Sequence, residues 1–491
     1  MRRIHRATVR RTVGGMLLVA GIIGVFVWYK FYRDVRVGYA DDDENFKYGS
    51  IGNEESTGIP YLIWKALPEL CPQHLPGPGG YASLGMIYEG REAPIGISVR
   101  TIGFPRAATN CAFCHASAVR DEEGGAPRLL LGSSAAQLDV EGYTRFLWAC
   151  AADPRFTPDG VLEVIRRAGE LSWVDEQIYR HVLVPRTREA LLEQRDRGVA
   201  WMDVSLSSVG HRRPRAGRGR VDLINPVKLH VLNLPPDETI GVSDMMPIWQ
   251  VTPSVRGNYG YFWDGLNDSL AEVARSSALG EGATLSSIET DQIGRIERWM
   301  TRAPAPRYPY AVDHALAAEG RRVYVRAGCA DCHDTGGARY RSVIPLDEKE
   351  LRTDRSRMEA WTAEASAAYN QHAEGTRIDF DRFRSTTGYI AVPLHGIWAT
   401  GPYLHNGSVP TLWHLLTPSE RPQVFYRGMT EVDRERVGFR HDTAGAPELA
   451  RRGLLSRYDT TEPGNGNQGH IYGAELSRDD KMALIEYMKT L

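Results

Sequence analysis

The 491-residue chain has few cysteines, almost no net charge and only one long uncharged apolar run. Its 59 Lys and Arg against 61 Asp and Glu leave a formal charge of −2. No field of one sign is available to steer a polyanion, so nucleic acid is not an expected partner. The apolar and charged fractions, 42% and 24%, are those of an ordinary globular protein. At this length two domains are expected rather than one core. With only six cysteines present, any repeated spacing among them is informative.

Such a repeat is present. "CAFCH" occupies 111–115 and "CADCH" 329–333. Two cysteines separated by two residues can each form a thioether to one vinyl group of a haem, and the adjacent histidine then lies beneath the iron as a ligand. A zinc site would want a second CxxC or a histidine pair nearby, and a thioredoxin-like motif has no use for the following histidine. The spacing therefore points to two covalently bound haem c groups, on Cys111, Cys114 and His115 and on Cys329, Cys332 and His333.

The uncharged run is Thr12–Tyr29, "TVGGMLLVAGIIGVFVWY", preceded by Arg2, Arg3, Arg6, Arg10 and Arg11 and followed by Lys30, Tyr32 and Arg33. Its 18 residues are just enough for a membrane-crossing helix, and the arginines favour a cytoplasmic N-terminus. Gly38 and Ala40 could form a cleavage site, but the intervening cations and the length of the run favour an uncut anchor over a signal peptide. Either way the bulk is expected in the periplasm. There Cys71 and Cys150, the two cysteines outside the motifs, could pair in a disulfide; two buried free thiols are the alternative.

The expected architecture is mainly α: two cytochrome c-like haem domains with long loop-rich insertions, preceded by one transmembrane helix. Residues 1–35 form the basic tip and anchor, 45–302 the N-terminal haem domain with its insertion, and 311–491 the C-terminal haem domain. "APAPRYPY", 303–310, is the connector. Ala317, Gly320, Val323 and Tyr324 stand at helical spacing ahead of the second motif. Ser477 with Asp480 reads as the N-cap of a last helix whose apolar face is Met482, Ile485 and Met488. Helix, haem motif and returning helix are the plan of class I cytochrome c. The tract after "CAFCH" reads as helical, a further helix is expected over 287–300, and "RRPRAGRGR", 212–220, reads as a surface loop whose Arg218 or Arg220 could meet haem propionates.

Two further stretches, "YFWDGLNDSLAEVA" at 261–274 and "GPYLHNGSVPTLWHLL" at 401–416, resemble segments of the bacterial di-haem cytochrome c peroxidases. Together with "LPGPGGYASLGM", "INPVK" and "GHIYGAELS", they look closest to the branch of that superfamily that includes the di-haem rubber oxygenases. The resemblance implies a relay role for Trp263 between the two haems, the alternative being a core aromatic. It implies a distal acid at Glu281, the alternative being a solvated surface carboxylate. It also implies calcium bound by the carbonyls of Thr400 and Pro402, with Gln250 a loose stand-in for a third ligand.

Two absences bear on ligation. No methionine occurs in "SVPTLWHLLTPSERPQVF", where the peroxidases place their second ligand, and the rubber oxygenases use a C-terminal histidine instead. His470 stands in the matching segment, with His405 and Met429 as competitors. No histidine lies between His115 and His181, and Met202, Met245 and Met246 carry no ligand signature, so an open face on the first haem is the simplest reading. The expectation is a peroxidase drawing electrons from a small cytochrome or copper protein and reducing hydrogen peroxide. The alternatives are a dioxygen-dependent oxygenase cleaving an apolar alkene and a pure electron carrier.

Overall fold

The computed structural model describes residues 2–122, 124–169, 171–253 and 259–491, the side chains of residues 2–12, with their five arginines, being outside the description. Helix makes up 42% of the chain. The described strands form one four-stranded sheet and six two-stranded ones. Helices predominate but small sheets accompany them, so the mainly α expectation is met only in part. The reason lies in the connections. Helices continue through the insertion, and between them the backbone groups pair in short hairpins.

The C-terminal region follows the expected plan. Helix His314–Arg326 buries Ala317, Gly320, Val323 and Tyr324, and helix Arg478–Met488 starts at Ser477, whose side chain accepts from the Asp480 N–H. The two cross where Gly320 leaves no room: a Cβ there would lie 1.8 Å from the Ala483 carbonyl oxygen. The helix expected over 287–300 runs Thr290–Arg302.

The N-terminal region departs from expectation. Directly after "CAFCH" the chain forms an antiparallel hairpin, Ala116–Val119 with Arg128–Leu131, and helices follow only from Val140–Ala152 onward. Ahead of the motif, strands Ile97–Ile102 and Phe104–Thr109 form the centre of the four-stranded sheet, flanked by Asp34–Val35 and Ile59–Pro60. The strand Phe104–Thr109 delivers the chain straight into Asn110, whose side chain caps helix Cys111–Cys114.

Two large apolar cores result. One holds Phe46, Trp299, Trp398 and Leu484 and runs through both halves of the chain. The other holds Trp64, Phe146 and Leu162 in the insertion. Burying each such large side chain contributes roughly 1.5–3 kcal/mol. The first motif sits at the seam, with Ala112 in one core and Phe113 and Cys114 in the other. Cys71 and Cys150 form a disulfide that ties the end of helix Tyr61–Leu70 to helix Val140–Ala152. At the other end, Val13–Tyr32 is long and apolar enough to cross a membrane, which suits either an anchor or a signal peptide.

Candidate haem sites

The second motif opens on a cavity of about 380 Å³. The His333 Nδ1 lies 2.7 Å from the Val392 carbonyl, which fixes the ring by one nitrogen and leaves the other to the cavity. The ring of His470 faces it, with centroids 6.4 Å apart. An imidazole nitrogen lies about 2 Å from a bound metal, as in zinc sites, and about 1 Å from its own ring centre. Two imidazoles on opposite faces of one iron therefore need a centroid separation slightly above ~6 Å. The observed pair meets it. Burial lowers the pKa of both histidines, and the nearby His333 and Arg421 help take His470 to about 3, so both rings are neutral, as ligation requires.

His470 is held in an unusual place. Its φ is +45° and that of Gly469 is +79°. Any Cβ at 469 would meet the Leu351 carbonyl oxygen at 2.0 Å, so only glycine allows the loop this close. The His470 N–H donates to that same Leu351 carbonyl at 2.6 Å. Arg421 closes the arrangement from the other side, donating to the carbonyls of Asn467, Gly469 and His470 and of His414 and Leu415. Sequence reasoning missed this arginine, because nothing in "SERPQ" signals that it will fold back on a loop 46 to 49 residues away.

The competing ligands are placed elsewhere. His405 lines the same cavity but stacks on Tyr389 at 3.9 Å. Met429 packs against Ala446 and Leu455 in a separate cluster.

At the first motif the His115 Nδ1 lies 2.9 Å from the Met246 carbonyl, and burial lowers its pKa to about 4. His395 lines the same cavity, but among the described residues no imidazole makes a ring contact with His115 as His470 does with His333. Met245 is buried in the insertion core, and Met246 contributes its carbonyl on the side of His115 itself. Buried Arg341 and Arg357 line this cavity, and the Arg357 Nε has no hydrogen-bond partner. Such a cation suits the propionate edge of a porphyrin. Arg218 and Arg220, expected in a surface loop, are instead buried, and they donate to carbonyls of Ser83, Gln137 and Gly453 and of Ala216 and Asn406. Neither lines a motif cavity. With all four motif thiols unpaired, the residues present fit haem at both motifs.

Trp263 lines both cavities. Its indole N–H donates to the Asp244 carbonyl at 2.7 Å, and its own carbonyl accepts from Ile390. Asp244 in turn pairs through its carboxylate with buried Arg427 at 2.5 Å, and burial outweighs that partner to raise its pKa to about 6.

Glu281 is not a solvated surface carboxylate. One oxygen accepts from the Thr109 hydroxyl at 2.6 Å, the other lies 3.8 Å from the Cys114 sulfur, and burial raises its pKa. Beside it a third cavity, of about 850 Å³, extends into the insertion, lined by Phe113, Tyr143, Leu147, Trp148, Trp201 and Val227. It shares Cys114, Val221 and Leu223 with the cavity at the first motif. Thr400 and Pro402 line the cavity at the second motif, whereas Gln250 lines neither motif cavity. Among the described residues no three His, Cys, Asp or Glu side chains converge as a metal cluster.

Comparison with known proteins places one segment. Residues 388–426 match the family described as RoxA-like, cytochrome c-like. The chain is 27% identical over 406 residues to the uncharacterized protein y4iJ of Sinorhizobium fredii, covering 62% of this chain and 66% of that one. It is 30% identical over 248 residues to the uncharacterized protein y4iM of the same organism, covering 42% of this chain and 55% of that one. The chain thus spans just under two thirds of one relative and about half of the other. The matched segment contributes Thr400, Pro402, His405 and Arg421 to the surroundings of the second motif. The match places a RoxA-like, cytochrome c-like segment at residues 388–426, and it supports haem c and electron transfer.

Proposed function

We propose that this chain is an exported, membrane-anchored c-type cytochrome that works as a redox enzyme, with one haem c at each motif. A haem with an open coordination position supplies activation of hydrogen peroxide or dioxygen, and one with two imidazole ligands supplies electron storage. The observation that carries the proposal is the contrast between the motifs. Helix Cys329–His333 has no buried residue and its histidine faces a second imidazole. Helix Cys111–Cys114 buries Ala112, Phe113 and Cys114 at the seam of two cores, and His115 has no such partner among the described residues.

Electron entry then belongs at the second motif, where the half-buried helix leaves Asp331 exposed to a small cytochrome or copper protein. His333 and His470 hold that haem, Trp263 relays electrons between the cavities it lines, and His115 holds the site where peroxide is reduced. A haem held there would supply reduction of hydrogen peroxide to two waters with two electrons and two protons. In this reading Glu281 is the acid that takes a peroxide proton and returns it to the leaving oxygen, a role supported by its carboxylate lying 3.8 Å from the Cys114 sulfur. Residues 45–302 and 311–491 act as the two haem domains, with calcium near Thr400 and Pro402 as a structural ion. The anchor keeps the arginine-rich N-terminus in the cytoplasm, and the Cys71–Cys150 disulfide suits a periplasmic bulk.

The test is electron paramagnetic resonance of the isolated protein before and after one equivalent of peroxide. A high-spin ferric signal that disappears on addition is expected, whereas two unchanging low-spin signals would leave only an electron carrier. The 850 Å³ cavity favours a second reading, oxygenation of an apolar substrate, because its volume and largely apolar wall are those of an organic-ligand site. Dioxygen uptake on an alkene without added reductant distinguishes that reading.

A further inference from the structure

The end of the N-terminal helix is clamped to the folded domain rather than joined by a free linker. The Gly103 N–H donates to the Arg33 carbonyl at 2.7 Å, and at φ +73° its Cβ position would fall 2.4 Å from the Phe31 Cα, so the hairpin turn rests directly on the helix end. Asp34 and Val35 then pair with Ile102 and Thr101, and the Arg100 guanidinium holds the Asp34 carboxylate with contacts of 2.8 and 2.5 Å. A second clamp lies to one side. Lys30, inside the last turn of the apolar span, pairs with Asp175 at 2.6 Å.

Asp175 belongs to the short helix Trp173–Ile178, which has no buried residue. Trp173 is 75% exposed, and Val174 is exposed beside it. A tryptophan this open to water gains nothing from its large apolar ring in an aqueous setting, whereas at a bilayer surface the ring enters the interface and its N–H stays hydrated. The Lys30–Asp175 pair sets its height. Trp173 is two residues from Asp175, within about one helical turn of ~5 Å, and the headgroup zone on each side of a bilayer is itself ~5–7 Å deep. Trp28, Tyr29 and Tyr32 are exposed around the helix end, each within two residues of Lys30 along the chain.

Resting on the reading of the N-terminal helix as a retained anchor, we propose that the face formed by helix Trp173–Ile178 lies against the headgroup layer of the membrane the anchor crosses, with Trp173 inserted. The domain is then held in one orientation. Strand Phe104–Thr109 rises from the clamped turn to the first motif, a path of about 20 Å at ~3.3 Å per residue. The first haem site is thereby held within about that distance of the lipid surface.

All six native cysteines are accounted for by the two motifs and the disulfide, so a Trp173→Cys variant of the full chain offers one thiol for a fluorescent label. The labelled, haem-loaded protein is reconstituted in phosphatidylcholine vesicles with and without brominated acyl chains. The expected result is quenching by the brominated lipid and at least a threefold reduction in quenching by aqueous iodide relative to the same protein in detergent-free denaturant. Protein that floats with the vesicles but whose label is fully open to iodide overturns the proposed face alone. Protein that does not float, with its N-terminus beginning beyond residue 35, overturns the anchor and the face together.

Discussion

Arg421→Ala is expected to release His470 from the second site. The wild-type guanidinium touches five main-chain carbonyls, three of them on the His470 loop at 2.5 Å (Asn467), 2.8 Å (Gly469) and 3.2 Å (His470). The other two, from His414 and Leu415 at 3.0 Å each, fix the guanidinium to the end of helix Leu412–Leu416. Burial lowers the Arg421 pKa to about 10, so the group remains a cation at neutral pH and its hydrogen bonds are charge-assisted. Such bonds contribute about 1.5–3 kcal/mol each, and the lower end applies to a half-buried group. Three contacts then hold the loop by roughly 4–5 kcal/mol, an upper bound because water can replace part of the loss. At 1.4 kcal/mol per tenfold, the ratio of docked to released His470 falls by up to about a thousandfold. The left-handed backbone at 469 and 470 adds to the tendency to leave, since His470 is not a glycine.

The assay is low-temperature electron paramagnetic resonance with a redox titration of the purified variant. The expected outcome is conversion of the low-spin signal of the second site to high spin, together with a changed midpoint potential. Arg421→Lys should convert it only in part, because one ammonium cannot span carbonyls on two elements as a planar fork does. His470→Ala should convert it completely and so reports separately on the ligand. If Arg421→Ala keeps the wild-type signal and potential while His470→Ala loses them, the positioning argument is wrong. If both keep them, His470 is not the ligand.

Trp263→Phe preserves an aromatic ring but removes the bond to the Asp244 carbonyl; stopped-flow reduction should show electron passage from the second site to the first slowed by on the order of tenfold, with both absorption spectra unchanged. Glu281 has a raised pKa in the folded state, so its proton is bound more tightly there than in the unfolded chain; stability is then greatest below the ordinary carboxylate range and falls as pH rises through the raised value. Melting curves of Glu281→Gln should accordingly match wild type near pH 4 and lie above it at pH 7, and a difference of the opposite sign would refute the burial argument. Replacing both Cys71 and Cys150 by serine removes a link between residues 79 apart in sequence, for which loop entropy predicts about 4–5 kcal/mol in guanidinium unfolding of the insertion core.

How much of this was legible beforehand depends on the range of the interaction. The CxxCH motifs, the Ser477 cap, the 3.6-residue face of helix His314–Arg326 and the apolar N-terminal run are local patterns, set by the chemistry of a few neighbouring residues. They could be read from the sequence without the fold. The insertion could not. Hairpin Ala116–Val119 with Arg128–Leu131 stood where a helix was expected, and Arg218 and Arg220 were buried where a surface loop was expected. In both cases the partners that satisfy the backbone or the guanidinium come from distant segments.

The candidate site divides the same way. The sequence by itself determined which residues can attach haem, because two thiols and an imidazole at fixed spacing are a covalent requirement. Only the tertiary structure decided that His470 faces His333, that Trp263 borders both cavities, that Glu281 points at Cys114 and that Arg421 holds the His470 loop. Each of these joins elements separated by long stretches of chain. Their alignment is set by which cores and backbone carbonyls the folded chain brings together, and no local pattern records that.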